Sequence, residues 1–123
     1  MEACVKFDGQ LETPTMLAAL LALTAADPTL EQAQTCRAHM EMLIEDVARE
    51  GGHVAGPTWF IRDWWDRQAE AAGAPDDEGE AVGLFKTRVT QMRVDEPERF
   101  DAGRQDCIDT AIDGGAVPGM GPE

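Results

Sequence analysis

The stretch TLEQAQTCRAHMEMLIEDVARE, residues 29–50, decides the fold class of this chain. Its apolar residues recur at steps of three and four, and at 100° per residue they fall on one face of a helix. Asp27-Pro28 stands before the stretch and Gly51-Gly52 follows it, which are typical start and stop signals. The pattern predicts an amphipathic helix with a buried face made of Leu30, Ala33, Cys36, Met40, Leu43, Ile44 and Val47.

Charged residues on the flank of this helix are spaced as intrahelical ion pairs. Arg37 precedes Glu41 by one step of four residues, and Glu45 precedes Arg49 by the same step. Pairs at this spacing meet on a helix surface and contribute a few tenths of a kcal/mol each. We therefore expect both pairs on the flank of the helix.

A second helix is predicted from Gly56-Pro57 to residue 72, through TWFIRDWWDRQAEAA. Proline is favoured in the first turn of a helix. Phe60, Trp64 and Trp65 share one face and are expected to anchor the core. Trp59 projects to the charged side, which makes it the better candidate for a contact with a partner.

Two further apolar patterns follow an acidic linker at residues 73–80. Residues 82–94 suit a helix, with Val82, Phe85, Val89 and Met92 on its apolar side. A strand is the alternative, because Val89, Thr90 and Val94 are β-branched. Glu96-Pro97 opens a last helix that runs to residue 113. Its apolar side is Phe100, Cys107, Ile108, Ala111 and Ile112.

The N-terminal part holds the most apolar run of the chain, MLAALLALTAA at residues 16–26. These 11 residues fall well short of the roughly 20 that span a bilayer. Acidic residues precede them where a signal peptide needs positive charge. We therefore expect a buried helix that begins at Thr13-Pro14, preceded by a short strand or an arm at residues 3–9.

Together these elements predict an all-α protein, a small bundle of four to five helices with the N-terminal strand or arm as a further element. Residues 1–115 form a single helical domain in this interpretation. Residues 116–123 (AVPGMGPE) form a flexible C-terminal tail, because they have too little to bury.

The charge balance restricts the possible partners. The chain has 24 acidic and 10 basic residues, a formal net charge of -14. Domains that grip nucleic acid are basic, so direct binding of nucleic acid is excluded. An acidic surface instead complements a basic protein groove, where its carboxylates resemble a phosphate backbone.

The three cysteines, Cys4, Cys36 and Cys107, are too few and too scattered to predict a disulfide framework. A reducing cytoplasm is the simplest compartment for such a chain. We therefore expect a cytoplasmic protein that does not enter a membrane.

Catalytic and metal-binding signatures are weak. The chain has no Ser and no Tyr, and it lacks the glycine-rich phosphate and dinucleotide motifs. Cys36 and His39 are spaced as C-x-x-H, but a zinc site needs about four ligands and no second pair follows. Glu50 and His53 match a di-iron spacing only across two glycines and without a second copy. We expect no enzyme activity, no cofactor and no metal.

The remaining hypothesis is a small acidic protein-binding module that meets a basic partner surface. Its most economical setting is a phage or mobile-element inhibitor of the anti-CRISPR or anti-restriction type, which would occupy a nucleic-acid-binding surface. The alternatives are an immunity protein or antitoxin against a basic toxin, and a homo-oligomeric structural subunit such as a homodimer. The residues predicted to contact the partner are Trp59, Glu41, Glu45, Asp106 and Asp109.

Overall fold

The computed structural model describes residues 27–75 and 78–121, and these residues form four helices and no strand. The helices are α1 (Leu30–Arg49), α2 (Gly56–Ala71), α3 (Glu78–Asp95) and α4 (Pro97–Asp113). The predicted all-α fold is confirmed, and residues 82–94 are helical. The helix predicted after Thr13 and the strand or arm at residues 3–9 lie outside the described residues.

Local signals set the helix ends where the sequence places them. The Thr29 hydroxyl caps α1 by accepting a hydrogen bond from the Gln32 backbone N–H at 3.0 Å. Gly51, which follows the end of α1, takes a positive φ of 80° that favours glycine. Both α2 and α4 carry proline in their first turn. None of the described helices is long and apolar enough to cross a membrane.

Helix α1 is the centre of the bundle, because it contacts α2, α3 and α4 and its interfaces with α2 and α3 are the two largest between described helices. A helix with three neighbours buries more of its circumference than a single stripe. Gln34, Arg37, His39 and Asp46 are accordingly buried, whereas Ile44 and Val47 of the predicted face are only half-buried. The prediction of one apolar face on α1 was therefore too narrow.

Neither of the two ion pairs predicted along α1 forms. Three of the four residues contact other helices instead, and Arg49 bonds to Asp46 of α1 itself. Arg37 is buried, and its Nε lies 4.0 Å from Asp66 on α2. Glu41 pairs with Arg62 of α2, and Glu45 pairs with Lys86 of α3. Spacing along one helix identifies neighbours on that helix only, so it misses carboxylates and cations that adjacent helices supply.

The core consists of two groups of buried side chains. One lies where α1, α2 and α4 meet and contains Met40, Ile61 and Trp65. The other joins α1, α3 and α4 through Met42, Val89 and Phe100. Each helix that follows α1 therefore contributes to a shared core.

The predicted aromatic anchors of α2 are only partly correct. Trp65 is fully buried, and Trp64 is half-buried against the first core group. Phe60, expected to face inward, is 49% exposed. At 100° per residue Phe60 lies about 140° around α2 from Trp65, so the two rings cannot face the same core.

Two further features of the structure were not expected from the sequence. Cys36 and Cys107 form a disulfide between α1 and α4, with their Cα atoms 5.4 Å apart and 71 residues between them in sequence. Ala116 and Val117, placed in a tail with too little to bury, are each only 5% exposed. The Gly115 turn explains this burial, because it reverses the chain so that the Ala116 N–H donates to the Ala111 carbonyl at 2.9 Å.

Candidate protein-binding surface

The first turns of α2 expose two adjacent aromatic side chains, Trp59 and Phe60, which we call the aromatic corner. Trp59 is 41% exposed and Phe60 is 49% exposed. Large aromatic side chains on a surface supply contact area at little entropic cost, and tryptophan is enriched at binding hot spots. The corner is therefore the most prominent aromatic contact surface of the described chain.

Beside the aromatic corner, Arg62 contacts three carboxylates and the Trp59 ring. The Arg62 guanidinium lies 5.2 Å from the centre of the Trp59 ring. It bonds to Asp63 at 2.9 Å and to Glu41 at 3.4 Å, and it lies 3.6 Å from Asp66. Burial opposes the charge on Arg62, but these three carboxylates raise its pKa above the ordinary value. Arg37 lies 4.0 Å from Asp66 as well, so two cations face three carboxylates, and the surface beside Trp59 keeps an excess of one negative charge.

The structure brings only two of the five predicted contact residues together. Glu41 and Trp59 both contact Arg62. Glu45 instead pairs with Lys86 at the contact between α1 and α3, so its charge is neutralised there. Asp106 and Asp109 lie on α4.

The outward side of α4 is a separate acidic surface. Asp106 and Asp109 are both exposed, and Asp109 accepts a hydrogen bond from Gln105 Nε2 at 3.0 Å. At 100° per residue they share a face with two further exposed carboxylates, namely Glu98 and Asp113. The predicted set of contact residues is thus divided between the aromatic corner, the contact between α1 and α3, and the outward side of α4.

A partly buried ion cluster was not anticipated from the sequence. Asp46 accepts hydrogen bonds from Arg49 at 2.6 Å, from Arg93 at 2.9 Å and from Arg104 at 3.2 Å. We call these four residues the Asp46 cluster. Burial works against the charge on Asp46, but the bonds from Arg93 and Arg104 hold its pKa below the ordinary value. No local signal indicated it, because Met42, which precedes Asp46 by one helical turn, was not part of the predicted buried face.

His39 lies beside this cluster and is only 1% exposed. Its ring centre is 5.0 Å from that of Phe100, and its Nδ1 atom has no hydrogen-bond partner. Burial and the positive charges of Arg104 and Arg93 lower the pKa of His39 to about 4. His39 is therefore a neutral imidazole at neutral pH.

The C-x-x-H spacing has a structural role in this form of the protein. Cys36 is bonded to Cys107, so it offers no thiolate to a metal. Within residues 27–75 and 78–121, no group of three or more His, Cys, Asp or Glu side chains is arranged to hold a metal ion.

Comparison of the chain with protein-family models, with curated proteins and with solved structures finds no match.

Proposed function

We propose that this protein is an acidic binding module that docks on a basic surface of another protein through the aromatic corner. The observation that carries the proposal is the exposure of Trp59 and Phe60 beside an excess of carboxylates. Aromatic anchors bounded by charged groups are typical of protein interfaces, where the charges increase association rate and specificity. The net charge of -14 extends the same field over the whole molecule.

The biological setting in this proposal is inhibition. A carboxylate-rich surface can occupy a groove that otherwise binds phosphates, as an anti-CRISPR or anti-restriction inhibitor from a phage or mobile element would do. An immunity protein or antitoxin against a basic toxin would use the same contact. Neither setting requires catalysis by this chain.

The test is a capture experiment with matched variants. The full chain and the double variant Trp59→Ala/Phe60→Ala are used to capture the partner from cells in which the protein occurs. Val94→Ala is the control, because Val94 is a 71% exposed apolar residue on another helix. We expect the double variant to lose the partner while Val94→Ala retains it.

Salt and competing nucleic acid then test the chemistry of the contact. Raising ionic strength to the physiological range shortens the electrostatic field to about 8 Å, so retention of the partner should fall steeply. Duplex DNA or RNA should displace the module if the partner surface is a nucleic-acid site. If the amount of partner retained changes neither with salt nor with the aromatic substitutions, the proposal is wrong.

A homodimer is the second candidate, and the same exposed aromatic pair favours it. Two corners packed against each other would bury Trp59 and Phe60 without a foreign partner. Sedimentation of the purified chain separates the two proposals. A dimer that persists at high salt and dissociates in Trp59→Ala/Phe60→Ala supports self-association.

We also propose that the protein is cytoplasmic. The Cys36–Cys107 disulfide favours the opposite, an oxidising compartment. Disulfides persist mainly in oxidising compartments. Rapid alkylation of the protein in its native cells, followed by mass spectrometry, decides the matter. Free thiols at both positions support the cytoplasm, whereas an intact bond places the protein in an oxidising compartment.

A further inference from the structure

A second apolar surface, apart from the aromatic corner, lies between the start of α1 and the first half of α3. It is a groove of about 640 Å³. Leu84 at this groove is 53% exposed, whereas its neighbour Phe85 is buried. Adjoining apolar side chains that a fold leaves in contact with water mark a place where another apolar group packs. We call this surface the α1–α3 groove, and its apolar lining residues are Leu30, Pro75, Ala81, Leu84 and Phe85.

The α1–α3 groove offers almost no charge to an occupant. Among the described residues that line it, only Glu80 is charged. Gln34 is buried, and Thr87 Oγ1 already donates a hydrogen bond to the Gly83 carbonyl at 3.0 Å. An occupant therefore meets mainly apolar contacts, and burying a charged or unpaired polar group there would cost free energy. The chemistry of the groove calls for an apolar occupant.

The chain itself contains an apolar segment just before α1. Residues 16–26 (MLAALLALTAA) lie outside the described residues, and none of their side chains is charged. Placed on a helix at 100° per residue, the large side chains of this segment fall within about 160° of one another, and its alanines fall on the opposite side. The large side chains, which we call the leucine side, are Met16, Leu17, Leu20, Leu21 and Leu23. The leucine side gains most from burial, because it carries most of the apolar surface of the segment.

The covalent connection to α1 keeps this segment close to the groove. Three residues separate Ala26 from Leu30, which lines the groove. Ala26 therefore lies within roughly 14 Å of Leu30. A tether this short gives an effective concentration in the millimolar range, and a separate partner or a second copy of the chain would have to compete at that concentration. The connection favours the segment over any other apolar occupant.

We propose that residues 16–26 pack as a helix into the α1–α3 groove, with the leucine side against Leu30, Leu84 and Phe85. The lengths are compatible, because 11 helical residues extend about 16 Å and the part of α3 that lines the groove, residues 80–87, extends about 10 Å. The groove is then a contact within the chain and not a site for the partner. The inference is independent of the proposed function, which depends on the aromatic corner.

The first measurement is NMR of the full oxidised chain with carbon-13 labels in its leucine and methionine methyl groups. We expect nuclear Overhauser effects between the methyl groups of Leu20 or Leu21 and those of Leu84. A second sample, mixed from labelled and unlabelled chains, separates contacts within one chain from contacts between two copies. The contacts should all lie within one chain.

The second measurement is denaturant unfolding of matched variants. Leu84→Ala should raise the unfolding equilibrium constant about tenfold if the segment covers Leu84, because the substitution then removes a buried side chain. Val94→Ala is the control, since Val94 is 71% exposed on the same helix, and it should change the constant less than about twofold. In a chain that already carries Leu20→Ala, Leu84→Ala should raise the constant only about threefold, because side chains in contact are energetically coupled.

The inference is wrong if Leu84→Ala has no larger effect than Val94→Ala, or if the effects of Leu84→Ala and Leu20→Ala are additive. It is also wrong if the methyl groups of the segment contact another surface, contact only a second copy, or show no long-range contact. None of these results bears on the proposed function, which fails if capture of the partner does not depend on Trp59 and Phe60. The two ideas can therefore be rejected separately.

Discussion

Two regions of this molecule combine arginine, carboxylate and an aromatic ring in opposite proportions. At the aromatic corner one cation, Arg62, lies among three carboxylates beside an exposed Trp59. In the Asp46 cluster one carboxylate lies among three arginines, two of which stand within 5 Å of the buried Phe100 ring at 4.6 and 4.8 Å. Because Arg37 also lies 4.0 Å from Asp66, the first region carries an excess of one negative charge, whereas the second carries an excess of two positive charges.

The difference between the regions is where the aromatic ring lies. Phe100 is 1% exposed, and the arginines beside it bind a carboxylate that is held by three helices. Trp59 is 41% exposed, and the charges around it come from only two helices. The Asp46 cluster thus stabilises the bundle, whereas the aromatic corner leaves its ring available for contact.

The largest effect is expected at the Asp46 cluster. Asp46→Asn removes the charge that Arg49, Arg93 and Arg104 share. Removal of the buried member of an ion network typically costs about 3–5 kcal/mol, with the lower end expected here because Arg49 and Arg93 are exposed. Denaturant unfolding should show a loss of that size. Asp101→Asn, an exposed control, should change the free energy of unfolding by less than about 0.5 kcal/mol. Equal losses of unfolding free energy in the two variants would mean that the Asp46 cluster does not stabilise the fold.

The pH dependence of stability should come next in size. Because the pKa of His39 falls from 6.5 in the unfolded chain to about 4 in the fold, the unfolded state binds the proton more readily. The contribution of neutral His39 to the free energy of unfolding is then fully present above pH 6.5. It is lost as the pH falls to about 4, which lowers the free energy of unfolding by about 3 kcal/mol.

The check on that prediction is a comparison with His39→Gln. The variant should show a flatter profile between pH 4 and 6.5 than the natural chain. Asp46 contributes only at lower pH, because its folded pKa lies below its ordinary value of 3.8. Parallel profiles for the two chains would contradict the assignment of this pH window to His39.

A smaller effect is expected at the aromatic corner. Trp59→Ala removes a ring that is already partly in water, so the free energy of unfolding should fall by about 1 kcal/mol. Trp65→Ala, made in the same helix, removes a fully buried ring and should cost about 3–5 kcal/mol. Thermal or denaturant melts of the two variants test this contrast, and equal losses would make Trp59 a core residue.

The smallest effect on stability is expected from Arg62→Gln. Ion pairs of partly exposed side chains contribute about 0–1 kcal/mol, and the Arg62 side chain is 26% exposed. The substitution should nevertheless strengthen binding to a basic partner, because it removes the cation that pairs with Glu41 and Asp63 beside Trp59. Titration with the captured partner measures this, and weaker binding would mean that Arg62 itself contacts the partner.

Sequence reasoning located the helices well because their ends depend on local chemistry. Helices start at Thr29, Pro57 and Pro97 and end near glycines, and these signals do not depend on tertiary contacts. The prediction of buried side chains was wrong where burial depends on helices that are distant in the sequence. Phe60 lies on the outer side of α2, and His39 and Asp46 are enclosed because α3 and α4 cover them.

The candidate site was less accessible to sequence reasoning than the fold. Trp59 was placed outside from its position around α2, and the structure finds it exposed. The role of Arg62 depends on Glu41, which is 21 residues away in the chain, so no local pattern indicates it. The Cys36–Cys107 bond spans 71 residues, and cysteine spacing alone does not establish pairing at that distance.

The Cys36–Cys107 bond also makes the chain from residue 36 to residue 107 a closed covalent ring. The ring contains all of α2 and α3, together with the linker between them. A protease that cuts once in that linker converts the ring into a two-piece molecule whose halves stay joined through sulfur. Such a nicked protein migrates as one species on a non-reducing gel and as two on a reducing gel. The bond thus lets the molecule survive a break in its backbone without losing either half.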